Sequence, residues 1–215
     1  MLQLVIGDKN LSSWSLRPWL LLRHAGLDFR EIRLQLDTPA FADEVARYSP
    51  AGRVPVLVDG ERRVWDSLAI CEYVNELAGA KCWPDDSAAR AHARSVSAEM
   101  HSGFAALRSA WSLRAGLTGL HVALTPQATA DVARIDALWA DCRARYAAHG
   151  PWLFGRYCVA DAMYAPVVLR FRSYGAVVSA EARDYMDTVL ADPLLQEWIR
   201  DAEREVAAGR PTDHA

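Results

Sequence analysis

Residues 54–77 read VPVLVDGERRVWDSLAICEYVNEL, and this stretch decides the fold class. Two short strand-like runs, 56–58 and 62–65, flank Asp59-Gly60, a pair that suits the tight primed turn of a β-hairpin. Apolar residues then recur at helical spacing, which predicts a helix over 67–77. A hairpin followed at once by a helix indicates a mixed sheet covered by helices.

The residues before this stretch alternate between strand and helix patterns. Residues 2–6 and 29–34 predict strands, while residues 15–25 and 41–48 predict helices. Pro18 falls in the first turn of the longer helix, where a proline is tolerated. The predicted order is therefore β-α-β-α-β-β-α, an α/β domain with a mixed sheet.

Strand signals fade after residue 79. Residues 80–86 contain a proline and turn formers, and we expect them to link a first domain, 1–79, to a second domain, 87–215. The helices predicted in the second domain cover 88–115, 126–149, 160–174 and 193–208. The second domain is therefore predicted to be an all-α bundle of four or five helices.

Composition and charge exclude several classes of protein. The 215 residues are 52% hydrophobic and 24% charged, which provides enough apolar surface to exclude a disordered chain. The net charge is -3 and neither half of the chain is basic, so we expect no nucleic-acid partner. The apolar runs are much shorter than a bilayer span, so we expect no membrane partner either.

Cysteine usage indicates a reducing compartment. The four cysteines stand far apart with no C-x-x-C motif: Cys71, Cys82, Cys142 and Cys158. We see no secretory signal at the N-terminus, so the chain is expected to be cytoplasmic. The six histidines lack the spacing of metal ligands, and no metal is expected.

Four motifs occur in a fixed order along the chain: Ser12-Ser13-Trp14-Ser15-Leu16-Arg17, Val54-Pro55-Val56-Leu57, Asp66-Ser67-Leu68-Ala69-Ile70 and Cys158-Val159-Ala160-Asp161. In this order and at this length they resemble the cytosolic glutathione transferases. The Ser-Ser-x-Ser motif is nearest to the zeta, or maleylacetoacetate-isomerase-like, members, although Trp14 stands where these often have cysteine. The resemblance implies a thioredoxin-like first domain, a helical second domain and a two-fold homodimer.

The resemblance assigns Ser12 as the catalytic residue and Ser13 as its glutathione-binding neighbour. A serine hydroxyl that donates to the sulfur of glutathione stabilises the thiolate, and the positive end of a helix adds to this effect. Residues 1–70 contain no cysteine, which argues against a mechanism through a mixed disulfide. We expect Ser15 to cap the helix. The alternative is that all three serines only cap and turn the chain.

The resemblance also assigns the remaining glutathione contacts. Val54 and a cis Pro55 would present the backbone of Val54 to the cysteinyl unit, and Arg53 is assigned to the same site. Ser67 would hold the γ-glutamyl carboxylate at a helix N-terminus, and Asp66 would take the ammonium group. The alternative for Asp66 and Ser67 is a helix cap without a ligand.

The acceptor site is expected between the two domains, where pockets commonly form. Its candidate residues are Trp14, Phe104, Arg108 and Trp111. For the two aromatic residues at helical spacing, the alternative is packing in the helical core. Asp161 matches the capping box of the family and is expected to be structural.

These expectations point to a detoxifying glutathione transferase that joins its co-substrate, glutathione, to a small electrophile. One alternative is a glutathione-dependent cis-trans isomerase of a maleyl-type dicarboxylic acid. Another is a non-catalytic binding or stress protein with the same fold. The identity of the electrophile stays open.

Overall fold

A computed structural model describes residues 1–210. The first part contains β1 (Leu2–Ile6), α1 (Ser13–His24), β2 (Phe29–Arg33), α2 (Phe41–Ala46), β3 (Val56–Asp59), β4 (Arg62–Trp65) and α3 (Ser67–Leu77). The predicted order β-α-β-α-β-β-α is therefore confirmed. Helix α1 begins at Ser13 rather than at residue 15, with Ser12 at the N-cap position.

The four strands form one mixed sheet in the order β2-β1-β3-β4. Strand β1 runs parallel to β2 and antiparallel to β3, and β3 and β4 form the hairpin. Leu4 and Ile6 of β1 join the main core, whereas Val5 points to the other face and packs in a cluster that contains Val45 of α2. The sheet is therefore covered by helices on both faces, as a thioredoxin-like domain requires.

Residues 87–210 form helices that are joined by loops. This second part contains α4 (Ser87–Ser102), α5 (Ala105–Ala110), α6 (Pro126–Tyr146), a 3-10 turn (Ala147–His149), α7 (Val159–Tyr174), α8 (Ala180–Leu190) and α9 (Pro193–Ala207). Helix α7 is buried along most of its length and packs against α1 and α4. A single core therefore continues from the sheet into the helical region, and it fixes α1 beside α7.

Two helix predictions were wrong. The helix predicted over 88–115 ends at Ser102, because Gly103 is extended and Phe104 adopts a left-handed φ of 58° before α5 begins. A side chain at Gly103 would also approach the carbonyl oxygen of Glu99 within 2.7 Å. Helix α8 was not predicted, although its buried residues recur at helical spacing: Ala182, Tyr185, Met186 and Val189. These changes give six α-helices within residues 87–210 instead of four or five.

No helix within residues 1–210 is both long enough and apolar enough to span a bilayer.

Candidate functional site

Ser12 lies where the loop after β1 enters α1. Its Oγ is 2.7 Å from the Oγ of Ser15, and the backbone N–H of Gly7 donates to Ser15 Oγ at 3.2 Å. Ser15 thus lies inside the helix and bonds inward, so its predicted capping role is wrong. Because Ser15 Oγ already accepts one bond, its own proton can point to Ser12 Oγ. That arrangement leaves the Ser12 proton for a ligand.

Ser13 is contacted by an arginine from the helical region. Arg170 Nη2 of α7 donates to Ser13 Oγ at 3.3 Å, and Arg170 Nε donates to the carbonyl of Trp111 at 2.8 Å. Burial, and then the nearby charge of Arg108, lower the pKa of Arg170 to about 10. Arg170 therefore keeps its charge at neutral pH and adds to the positive potential of the α1 N-terminus.

One cavity opens beside the N-terminus of α3. It has a volume of about 390 Å³, and we call it the N-terminal cavity. Its lining residues are Trp14, Ala51, Arg53, Val54, Pro55, Trp65, Asp66 and Ser67. Val54 lies two residues before β3 pairs with β1, and the Val54–Pro55 peptide bond is cis, as the resemblance implied.

Asp66 caps α3 and also reaches the helical region. Its Oδ1 accepts the backbone N–H groups of Leu68 and Ala69 at 2.9 and 3.2 Å. Its Oδ2 is 3.2 Å from Nε2 of His101 on α4. The φ of Asp66 is 74°, a region that non-glycine residues rarely adopt and that is frequent at functional sites. Asp66 therefore caps α3, as the alternative predicts, and at the same time forms part of the wall of the N-terminal cavity.

A buried cation lies behind Ser67. Arg17 is 1% exposed, and its Nη1 donates to Ser67 Oγ at 3.2 Å. Burial, and then the charge of Arg170, lower the pKa of Arg17 to about 9, so the guanidinium is charged at neutral pH. Its Nε has no hydrogen-bond partner and it forms no salt bridge within residues 1–210. A positive charge without a salt-bridge partner among these residues therefore lies behind the α3 N-terminus, which Asp66 caps from the other side.

A second cavity lies between the sheet domain and the helical region. Its volume is about 420 Å³, and we call it the interdomain cavity. Its lining residues are Leu11, Ser12, Ser13, Trp14, Leu36, Phe41, Arg53, Val54, Arg108, Ser112, Leu113 and Arg170. Trp14, Arg53 and Val54 line both cavities, so the two are adjacent. Ser12 lines the interdomain cavity, two residues before Trp14 in the chain.

Two of the candidate acceptor residues lie elsewhere. Phe104 is buried at the turn before α5 and belongs to the main core. Trp111 donates its Nε1 proton to the carbonyl of Val122 at 3.0 Å and stacks on Tyr174. Neither side chain lines either cavity, because both fill spaces between helices. The core alternative is the correct one for both residues.

Sequence analysis missed Arg170, Ser112 and Leu36 in the cavity walls. Arg170 carried one usable signal, since it lies in a helix whose other residues between 159 and 171 are all buried and mostly apolar. An arginine in such a position needs a buried polar partner, which here includes Ser13. Ser112 and Leu36 lie in loops and carried no signal.

Asp161 is a structural residue. Its Oδ2 accepts the backbone N–H of Cys158 at 2.9 Å, and its Oδ1 accepts that of Leu153 at 3.0 Å. These bonds form the capping box at the start of α7 and tie the preceding loop to it.

The described residues thus form a thioredoxin-like sheet domain followed by a helical region, and the interdomain cavity between them adjoins the N-terminal cavity. Residues 11–77 match the sequence model of the family described as glutathione S-transferase, N-terminal domain. Over this segment the chain is therefore similar to the N-terminal domain of the glutathione S-transferases.

Solved structures with the same fold extend the likeness to the whole chain. A glutathione transferase homologue from Burkholderia GL BGR1 with bound glutathione is 24% identical, with a TM-score of 0.71 over 95% of this chain and 98% of the other. The theta class enzyme from Xanthomonas axonopodis pv. citri with glutathione bound is 22% identical, with a TM-score of 0.65 over 92% and 96% of the two chains. At these identities the likeness establishes the fold.

A curated relative matches a short segment. Dichloromethane dehalogenase from Methylorubrum extorquens is 58% identical over 38 residues, which is 17% of this chain and 13% of that protein. The chain therefore matches only a small part of that relative's length.

Proposed function

We propose that this protein is a glutathione transferase in which Ser12 stabilises the thiolate of glutathione. The observation that carries the proposal is the place of Ser12, at the N-terminus of α1 and in the wall of the interdomain cavity, which meets the N-terminal cavity at a junction lined by Trp14 and Val54. A glutathione thiolate at that junction has the binding site for the rest of the glutathione molecule on one side and space for an electrophile on the other.

The N-terminal cavity offers a complementary group to each part of glutathione. The γ-glutamyl carboxylate is assigned to the α3 N-terminus, where Ser67 and the buried charge of Arg17 stabilise an anion. Its ammonium is assigned to Asp66. The backbone of Val54 pairs with the cysteinyl unit in the manner of an added strand. The bound glutathione in two of the compared structures supports this use of the fold.

The reaction depends on the protonation state of the glutathione sulfur. A free thiol has a pKa near ~8.5 and is mostly protonated at neutral pH. The hydroxyl of Ser12, the N-terminus of α1 and the charge of Arg170 all favour the anion, and the displaced proton leaves to solvent. The thiolate then attacks an electrophilic carbon, a C–S bond forms, and the leaving group departs with its electron pair. Holding both reactants at one junction removes part of the entropic barrier.

The proposal is tested by Ser12→Ala with an activated aromatic halide as the electrophile. A hydrogen bond to a charged group contributes ~1.5–3 kcal/mol, so we expect kcat/KM near neutral pH to fall by about 10- to 100-fold. Ser95→Ala on the exposed face of α4 is the matched control and should retain full activity. Unchanged turnover in Ser12→Ala would contradict the mechanism, and retention on glutathione-agarose without any turnover would favour a non-catalytic binding protein.

Isomerisation of a maleyl-type dicarboxylic acid is a second candidate, and the arginines on the wall of the interdomain cavity favour it. The same thiolate adds to one alkene carbon, the resulting single bond rotates, and expulsion of the thiolate restores the double bond. Conversion of a maleyl-type acid without consumption of glutathione would identify this activity.

We further propose a cytoplasmic homodimer with domains at 1–79 and 87–215. The dimer is the arrangement that the resemblance implies, and Leu77 at the end of α3, an apolar side chain that is 39% exposed, is one candidate for contact with the partner. The four cysteines are free and buried, which fits a reducing compartment. Sedimentation analysis at several protein concentrations tests the dimer.

A further inference from the structure

The interdomain cavity is positively charged. Three of its lining side chains are arginines, Arg53, Arg108 and Arg170, and none of the described residues that line it is Asp or Glu. We propose that Arg108, with Arg170 beside it, binds a carboxylate of the acceptor substrate, so that the electrophile joined to glutathione is an organic acid. This inference rests on the proposed transferase function and specifies its acceptor.

Most of the N–H donors of Arg108 have no hydrogen-bond acceptor among the described residues and are available to such a ligand. Its single hydrogen bond runs from Nη1 to the carbonyl oxygen of His101 at 3.3 Å. Asp131 is the nearby acid, yet its Oδ2 accepts the backbone N–H of Leu107 at 3.0 Å, and within residues 1–210 Arg108 forms no salt bridge. A guanidinium carries five N–H donors in a fork that fits a carboxylate. Most of the donors of Arg108 are therefore available to the cavity.

Arg170 is satisfied in hydrogen bonding but not in charge. Besides Ser13 and Trp111, it donates to the carbonyl of Pro166 at 3.4 Å, and all three acceptors are neutral. Arg108 and Arg114 each lower the pKa of Arg170, which reflects repulsion between neighbouring cations. Charges held away from water are stable only when they are paired. An anion in this cavity would supply the missing charge.

The carboxylates of glutathione are assigned elsewhere. The γ-glutamyl carboxylate belongs with Ser67 and Arg17, and Arg53 lines both cavities and is free to meet the glycyl carboxylate. Arg108 and Arg170 come from α5 and α7 and line only the interdomain cavity. The charge of Arg108 is therefore assigned to the second substrate, while Arg170 lies beside both Ser13 and the cavity and favours an anion of either substrate.

The other residues that line the interdomain cavity indicate the chemical nature of the rest of the acid. The apolar lining residues are Leu11, Leu36, Phe41 and Leu113, with Trp14 at the junction to the N-terminal cavity. These side chains suit an apolar body, while the arginines suit a carboxylate at one end. A cavity of about 420 Å³ is in the range that holds a ligand of drug-like size. The expected acceptor is thus an amphipathic organic acid with an electrophilic carbon.

The test compares a neutral electrophile, 1-chloro-2,4-dinitrobenzene, with an acidic one, 4-chloro-3,5-dinitrobenzoate. In both, the thiolate of glutathione forms a C–S bond to the ring and chloride leaves with its electron pair. We expect Arg108→Met to lower the ratio of kcat/KM for the acid to that for the neutral compound by tenfold or more. Arg108→Lys should recover part of the ratio, because the charge is kept. Arg134→Met is the matched control, since Arg134 is exposed and pairs with Glu99 outside the cavities.

Equilibrium binding of the two glutathione conjugates gives a readout that does not need turnover. We expect the carboxylated conjugate to bind more tightly than the neutral one, and Arg108→Met to remove the difference. If neither halide is turned over but the carboxylated conjugate still binds more tightly, the proposed transferase function is wrong and the proposed anion site is supported. If the wild-type protein shows no preference for the carboxylated conjugate, or if Arg108→Met leaves that preference and the kcat/KM ratio unchanged, the inference is overturned.

Discussion

The hydroxyls of Ser15 and Ser12 share one hydrogen bond in which either can donate. Ser15 Oγ accepts the N–H of Gly7 and lies 2.7 Å from Ser12 Oγ, in a buried position at the start of α1. When Ser15 donates to Ser12, the proton of Ser12 is left for a ligand in the interdomain cavity, which Ser12 lines. Ser15 is therefore a positioning residue for the proposed thiolate contact.

Ser15→Ala tests this role at the residue scale. We expect kcat/KM at neutral pH to fall about fivefold, the effect of losing roughly 1 kcal/mol of hydrogen bonding. The acidic limb of the pH–rate profile should also move to higher pH, because the bound thiol is harder to ionise. A loss of stability alone lowers activity without moving that limb. A variant with an unmoved limb would therefore contradict the positioning role.

His101 should couple stability to pH. Its pKa is lowered by burial and by the charges of Arg17 and Arg108, while Asp66 acts in the opposite direction. Between this lowered pKa and the ordinary value near ~6.5, the unfolded chain binds more protons than the folded one. The contribution of His101 to stability is therefore present above that range and is lost as the pH falls through it.

His101→Asn provides the measurement. The free energy of unfolding, determined with denaturant at pH 7.5 and at pH 5.5, should decrease less on acidification in the variant than in the wild type. Other histidines, such as His92, are common to both proteins and cancel in the comparison. An equal decrease in the two proteins would show that His101 is not a source of the pH dependence.

At the scale of elements, α9 holds the loop that leads to Ser12. Glu205 accepts the backbone N–H groups of Lys9 and Asn10 at 3.0 and 2.9 Å and pairs with Arg33 at 2.8 Å. Trp198 donates its Nε1 proton to the carbonyl of Lys9 at 2.8 Å. Because these bonds join residues almost 200 positions apart, the end of the chain fixes the entrance to α1.

Glu205→Gln should destabilise the protein strongly. One carboxylate oxygen becomes an NH₂ group that faces donors, and breaking a buried ion pair costs about 3–5 kcal/mol. Denaturant unfolding should show a lower midpoint for this variant, with Glu203→Gln on the exposed side of α9 as the matched control. A midpoint equal to that of the wild type would mean that the α9 contact does not hold the loop.

The sequence predicts the elements of the first domain well but does not predict every residue of the site. Short strands, Asp59-Gly60 and helical spacing predicted every element of the first 77 residues, because these signals are local. The site residues on the first domain also came from local motifs and lie together around two cavities. Arg170 lies in the site only because α7 packs on α1. Phe104 lies outside the two cavities because the backbone turns at this residue. The first fact depends on residues far apart in the chain, and the second on a local turn at Gly103 that the apolar spacing over 88–115 does not reveal.

At the scale of the whole molecule, the sheet domain and the helical region share one core. That core runs from Leu4 of β1 through Leu16 of α1 to Val168 of α7 without a solvent gap. The ion pair between Lys9 and Asp201 adds a polar link across the same boundary. The two parts are therefore expected to unfold together.

Cooperative unfolding is measured with two probes. Far-ultraviolet circular dichroism follows the helices, and tryptophan fluorescence reports on the tertiary packing of eight tryptophans, which include the buried Trp19 in α1 and Trp139 in α6. The two denaturant transitions should coincide, as two-state behaviour requires. Separate midpoints would indicate that the sheet domain and the helical region unfold independently.

The most direct measurement is the pKa of the glutathione thiol while it is bound to the protein, followed by the ultraviolet absorbance of the thiolate in wild type and Ser12→Ala. The wild-type complex should titrate clearly below the ~8.5 of a free thiol, and the variant should return most of the way to that value. An identical bound pKa in the two proteins, or no binding of glutathione at all, would contradict the account.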